Sequence, residues 1–294
     1  NHSLVTIPLS FGAVAAASSV LGLKAEQVCS ALGLTAQQAS GIYASLYEPR
    51  HMAKAFESGV AGRNGVTAAL LAQCGFQGAP NIFEGPNNIF DAFSGEHNYH
   101  ELSKGLGSYY YIVDTPIKKY PVGAPIQAPL EGLFQILQEQ RLQASDIQEI
   151  EVTMAERFAW VVGKRPIKNI SLEYLLAVGA YSGKLGLEET HAEHSIVEPK
   201  VEDLKRRVKL VGNPDSERLG HAVVVVVTKD GKRHSVAVDH VPMTANQVAD
   251  KFLSLASPVL GLEKAHKIKH LVDHLEELKD IHTLTNLLRK TNNS

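Results

Sequence analysis

Between Pro49 and Gly85 the chain reads PRHMAKAFESGVAGRNGVTAALLAQCGFQGAPNIFEG, and no other stretch limits its fold as tightly. A polar, basic entry of Arg50, His51 and Lys54 leads into a helix with small residues along one side: Ser58, Gly59, Ala61, Gly62 and Gly65. Glycine is costly inside a helix, so such a run is expected where a neighbouring backbone or a ligand must come close. The helix continues through Ala68, Ala69, Leu70 and Leu71 and stops at Gly75, with Gly78 and Pro80 beyond. A lysine at the start of such a helix places an amine at the edge of a cleft. Equally, the helix is simply well packed and its lysine solvated; the residues alone leave both readings open.

The 294 residues suit one large domain or two modest ones, and 44% hydrophobic with 20% charged residues is enough to bury an ordinary core. A formal net charge of -2 argues against nucleic-acid binding driven by bulk electrostatics. The apolar run Phe11 to Leu21 is too short and too mild to span a bilayer and reads as a packed helix, so no membrane partner is expected. Cys29 and Cys74 show neither metal nor redox spacing and read as buried thiols of a reducing, cytoplasmic protein.

The first fifty residues read as three short helices: one over Gly12 to Leu21 ending at Gly22, one over Lys24 to Leu34, and one over Ala36 to Leu46 with Thr35 as its N-cap. After the organising helix, Ile89, Phe90 and Phe93 form a short apolar face, and Ser108 to Val113 (SYYYIV) reads as a strand. A helix is expected around Ala128 to Arg141, a strand over Ile147 to Val152, a buried-sided helix over Ser171 to Gly183, and a short strand over Val208 to Val211. Ala222 to Lys229 and Lys232 to Val241 form a hairpin about Asp230-Gly231, the pair that supplies the φ > 0 turn of a two-residue loop. Five valines, Val223 to Val227, predict a strand covered on both faces. Thr244 caps a helix over Gln247 to Leu255, and helical spacing continues over Lys264 to Lys279 and Thr283 to Arg289.

The resulting fold class is α+β: an all-helical domain made from the two ends of the chain (residues 1–50 and 242–294), with a mixed α+β lid domain (residues 51–241) inserted between them. Several segments carry a family resemblance. Ala53-Lys54-Ala55-Phe56-Glu57-Ser58-Gly59-Val60-Ala61-Gly62 followed by Gly75-Phe76-Gln77-Gly78-Ala79-Pro80, the run Gly12–Ser18, the segment Leu32–Gly41, Lys118-Lys119-Tyr120-Pro121, and Ser171–Gly183 resemble the signature segments of the MmgE/PrpD family. That family includes 2-methylcitrate dehydratase, cis-aconitate decarboxylase and iminodisuccinate epimerase. The resemblance spans essentially the whole chain. It departs from the family at Glu57, where the family has a histidine, and within Val122 to Pro129, where a further family histidine is missing. Family members usually carry a long helical segment before the part that begins here, so a missing N-terminal segment or a partner chain is expected to complete the helical domain.

The resemblance implies a lid over a helical domain with the active site between them, a homodimer, and no cofactor. It makes Lys54 the first catalytic candidate, as a base or as a cation that binds a carboxylate. Glu57, one turn on, takes the place of the family histidine as general acid or base, or simply pairs with Lys54. Arg50, His51, Lys118, Lys119 and Tyr120 are the candidate substrate-binding residues, because a di- or tricarboxylate needs cations. Arg63 reads as structural, and Ser3 rather than His2 falls opposite a family histidine. No metal site is expected: His191 and His194 have no evident third ligand, and His266, His270 and His274 read as a polar stripe on a helix. Gly105-x-Gly107 follows no strand, so it is no dinucleotide fingerprint.

The implied function is a cofactor-independent dehydratase acting on a small polycarboxylate such as 2-methylcitrate, starting with proton abstraction next to a carboxylate. The alternatives are an epimerase or decarboxylase of the same family, or a truncated, non-catalytic homologue that binds carboxylates or a partner chain.

Overall fold

Small side chains at four-residue spacing set the first packing contact. In the computed structural model, which describes residues 5–48, 52–94, 98–191 and 199–289, helix α1 (Thr6–Val20) buries Thr6, Ser10, Val14 and Ser18 along one stripe. The stripe lies against α3 (Met52–Gln73), which follows α2 (Ala25–Ala36). A Cβ at Gly65 would sit 2.6 Å from the Val14 nitrogen and 2.8 Å from the Ser10 carbonyl oxygen, so only glycine admits this approach. Gly59 and Gly62 have nothing within 4 Å. The small side of α3 is thus consumed by packing at Gly65 and open nearer the N-terminus. Val14, Ala31, Ala68, Ala69 and Ala72 form the resulting core, flanked by Phe11, Leu21, Leu32 and Leu34.

The chain leaves α3 through Gly75 at φ +91° and recrosses α2, then enters α4 (Ile89–Phe93), capped by the Asn88 side chain. By internal contacts these elements form one unit, Asn1–Val113 with Lys164–Ser171. The second unit is Asp114–Gly163 with Leu172–Ser294. It begins with α5 (Gln127–Glu139) and β1 (Ile147–Ala155), followed by α6 (Glu156–Val162), α7 (Leu172–Ser182), α8 (Leu187–His191) and α9 (Pro199–Arg206). Then come β2 (Val208–Asn213), β3 (His221–Thr228) and β4 (Arg233–Asp239), and finally α10 (Ala245–Leu260), α11 (Leu262–Asp273) and α12 (His282–Thr285).

The four-stranded sheet has the order β2-β1-β3-β4. β1 and β2 are parallel, joined by the α6–α9 crossover, whereas β1–β3 and β3–β4 are antiparallel. Helices α5 and α7 supply the core on one face: Leu130, Leu133, Leu172, Leu175 and Leu176 pack with Ile150, Val152, Val224 and Val226. A Cβ on Gly132 would meet Val224 Cγ2 at 2.7 Å, which shows how closely α5 lies on the sheet. Helices together with a mixed sheet are the expected α+β composition. The Asp230-Gly231 hairpin and the Thr244 cap, which accepts the Gln247 N–H, also form as read.

Several local expectations are corrected. Ser108–Val113 is not a strand: Gly105 and Gly107 turn the chain at φ +72° and +80°, a 3₁₀ turn forms over Tyr111–Asp114, and the tyrosines remain exposed. The valine strand is not equally buried on both faces: burial alternates along β3, with Val224 and Val226 buried and Val223, Val225 and Val227 only half-buried. Thr35 caps nothing: its hydroxyl donates to the Ala31 carbonyl inside α2, and the expected third helix reduces to a 3₁₀ segment over Tyr43–Tyr47. Cys29 and Cys74 are exposed, on the outward sides of α2 and of the α3 terminus. No described helix is long and apolar enough to cross a membrane.

Candidate functional site

Glu48 decides where α3 begins. Its carboxylate accepts the backbone N–H groups of Met52 (2.6 Å) and Ala53 (3.2 Å), two of the donors that a helix start leaves without partners. With the start fixed there, Lys54 and Glu57 stand one turn apart on the same side. Lys54 Nζ donates to Glu57 Oε2 at 2.8 Å, with 10% of the Glu57 side chain exposed against 40% for Lys54. Glu57 also lines a pocket of about 420 Å³ with Thr6, Gly41, Ile42, Phe56 and Val60. The arrangement joins an accessible ammonium to a largely desolvated carboxylate, so a proton has a short path between the two.

Arg50 and His51 lie outside the described residues, as do His2, Ser3 and His194. Arg63 is exposed and donates to Asn64 Oδ1, a local contact.

Lys118, Lys119 and Tyr120 belong to the second unit, and Lys54 and Glu57 to the first. A residue that sequence reasoning passed over holds the second group in place. Gln127, fully buried at the start of α5, accepts the Tyr120 N–H at Oε1 and donates Nε2 to the Tyr120 carbonyl, both at 3.0 Å. It lies within the stretch where the family histidine is missing. Tyr120 is 9% exposed, and its ring packs on Phe134 at 5.7 Å between centroids, with the Lys119 ammonium 5.5 Å from its own ring centre. Lys119 lines two cavities, of about 710 and 800 Å³; Glu131 borders the first and Tyr181 the second.

Burial lowers the pKa of Lys118 below the usual lysine range, and the positive charge of Lys251 lowers it further. Lys251, on α10, donates to the Lys118 carbonyl. Nearby, His240 Nδ1 lies 2.9 Å from Glu131 Oε1, and both side chains are largely buried. Neither Lys251 nor His240 had a sequence signal, since each meets its partner across more than a hundred residues. Rings of His270 and His274 lie 4.4 Å apart at the end of α11. Among the described residues no group of three or more His, Cys, Asp or Glu is arranged to hold a metal ion.

Burial first, and the Glu131 carboxylate second, push the Tyr120 hydroxyl from 10.0 up to about 12. The fold therefore binds this proton more tightly than the unfolded chain does. Its stabilising contribution is complete below about pH 10 and is lost as pH rises towards 12, about 2–3 kcal/mol in all. Tyr120→Phe is expected to remove that part of the alkaline loss of stability. Urea melts from pH 8 to 12 check it, and equal slopes for the two proteins would refute it.

The models of two domains of one protein family match the chain. The MmgE/PrpD N-terminal domain matches residues 1–102, and the MmgE/PrpD C-terminal domain matches residues 120–277. A cis-aconitate decarboxylase from Aspergillus terreus is 26% identical over 303 residues, covering 93% of this chain and 61% of the relative. The Homo sapiens cis-aconitate decarboxylase is 24% identical over 300 residues, covering 95% and 61%. The chain thus spans about three fifths of the length of the curated relatives it matches.

Proposed function

This chain belongs to the MmgE/PrpD family, and from that premise we propose that it is a cofactor-independent lyase acting on a small polycarboxylate, with Lys54 and Glu57 as its proton-transfer pair. The observation that carries the reading is the 2.8 Å contact between a partly exposed ammonium and a largely buried carboxylate. The similarity to cis-aconitate decarboxylases favours loss of CO2 from a cis-aconitate-like substrate. In that reaction the bond from carbon to the departing carboxylate breaks, the electron pair stays on carbon, and the Lys54 ammonium delivers a proton to it. Dehydration of a 2-methylcitrate-like substrate makes a related demand. A proton leaves the carbon next to a carboxylate, and hydroxide departs with a proton as water. Both paths place negative charge on carbon, which cations must hold.

The test is proton NMR in D2O with 2-methylcitrate, citrate, cis-aconitate and iminodisuccinate. We expect product formation or deuterium uptake with one of them, reduced by about 100-fold or more in Lys54→Ala. Unchanged turnover in that variant removes Lys54 from the chemistry, and silence across all four substrates removes the lyase reading. A binding-only homologue is the second reading, favoured by Glu57, which stands in place of the family histidine and ties up the Lys54 amine. Saturable binding of these acids without turnover is its signature.

A further inference from the structure

An open sheet has two edges, each a row of backbone N–H and C=O groups able to pair with another chain. Here the edges are β2 and β4, and they differ. β2 carries Lys209, whose side chain is 62% exposed, and α6 packs closely on it: a Cβ at Gly212 would lie 3.1 Å from Glu156. β4 carries none of the features that keep an edge strand alone. Its seven residues, Arg233–Asp239, hold an unbroken register with β3, with no bulge, proline or lysine. Val236 and Val238 are half-buried on the side of the core and α5, whereas Arg233, Ser235, Ala237 and Asp239 are exposed. Among the described residues no strand other than β3 pairs with β4.

The sequence of this strand, RHSVAVD, is its own antiparallel complement. About a twofold axis at Val236, Arg233 falls opposite Asp239 of a second copy, His234 opposite Val238, Ser235 opposite Ala237, and Val236 opposite itself. Opposite charges meet at both ends, and no like charges face each other. A slip of one residue would set exposed side chains against inward ones, and a slip of two would part both charge pairs. Both charged groups have capacity to spare. Arg233, 59% exposed, reaches only Glu151, at 4.0 Å. Asp239, 55% exposed, receives Arg218 and His221 on Oδ1, each at 2.9 Å, and among the described residues nothing bonds its Oδ2. We propose that two copies of this chain pair antiparallel along β4, joining their sheets into one with α5 on the same face in both. The inference is independent of the lyase reading, because neither Lys54 nor Glu57 takes part in it.

Strand pairing alone buries less surface than a standard interface, so sedimentation of the whole chain is expected to show association with a dissociation constant of about 10 µM. R233D and D239R each set like charges opposite one another and should weaken it about tenfold. The double variant R233D/D239R re-forms both pairs with their signs exchanged and should return to within about threefold of the wild type. Circular dichroism confirms that each variant is folded. Amide hydrogen exchange locates the contact: protection of residues 233–239 should rise with concentration in the wild type and stay level in the single variants. Where another surface also pairs copies, the single variants should remove one step of association and leave the other, which supports the proposal equally. A wild type that stays a single copy at every concentration overturns it. Association unmoved by either single variant, a double variant no tighter than the singles, or exchange in β4 that ignores concentration overturns it as well and assigns any assembly to a different surface.

Discussion

Gly78→Ala is expected to cost about 3 kcal/mol of stability in the first unit. Where the chain recrosses α2, a Cβ at Gly78 would lie 2.1 Å from the Ser30 carbonyl oxygen and 2.7 Å from the Leu34 nitrogen. The contact is reciprocal: a Cβ at Gly33 would lie 2.4 Å from the Ala79 oxygen. Neither glycine has a positive φ, so their requirement is for space and not for a special backbone conformation. The obstructing atoms belong to backbone held by the hydrogen bonds of a helix, which cannot move aside as a side-chain tip would. The cost therefore falls at the upper end of the range for overpacking. Gly59→Ala supplies the contrast. Gly59 is inside α3 with nothing within 4 Å, so alanine there should stabilise by about 0.5–1 kcal/mol through helix propensity alone. Amide hydrogen exchange in α2 and α3 reads both effects. Equal protection of wild type and Gly78→Ala would mean that the recrossing segment does not rest on α2.

The contrast between these glycines also marks how far the sequence can be read. Features whose partners lie within a few residues were legible. Asp230-Gly231 specified its hairpin because the turn needs Gly231 at φ +84°. Thr244 and Gln247 specified a helix start, and Lys54 with Glu57 specified an ion pair at one-turn spacing. Features decided by distant chain were not. The run Ser108–Val113 has the composition of a strand, but β-propensity is realised only beside a partner strand, and no described strand pairs with it. The valines of β3 announced a strand without revealing that burial would alternate along it. The small residues of α3 predicted close approach somewhere along the helix, yet only the fold assigns it to Gly65 and leaves Gly59 open. In the same way, the lysines at 118 and 119 were visible as a basic motif, whereas Lys251 joins them from a helix more than a hundred residues on.

Gln127→Leu should be the most damaging single change around that basic motif, at about 3 kcal/mol. Leucine nearly matches glutamine in volume, so the substitution leaves little cavity and isolates the polar loss. Two hydrogen bonds disappear together. The Tyr120 carbonyl keeps the Val122 N–H, 2.9 Å away, but the Tyr120 N–H loses the acceptor supplied by Gln127. An unpaired backbone donor in a buried position costs about 1–3 kcal/mol, and the second bond adds about 1 kcal/mol. Trp160 lies in the same unit and is the chain's single tryptophan, so its fluorescence during urea unfolding reports the loss. A midpoint unchanged from wild type would show that the loop is held without the clamp. The functional consequence follows from what the clamp positions. Tyr120 is the last residue of the basic segment, and freeing its backbone lets Lys118 and Lys119 move relative to Lys251. Under conditions where Gln127→Leu remains folded, binding or turnover of the polycarboxylates tested for the lyase reading should therefore fall even though no charge has been removed. An amide buried against a backbone thus does for these lysines what a hydrogen-bonding partner does for any binding residue: it fixes, before a ligand arrives, where the charge will be.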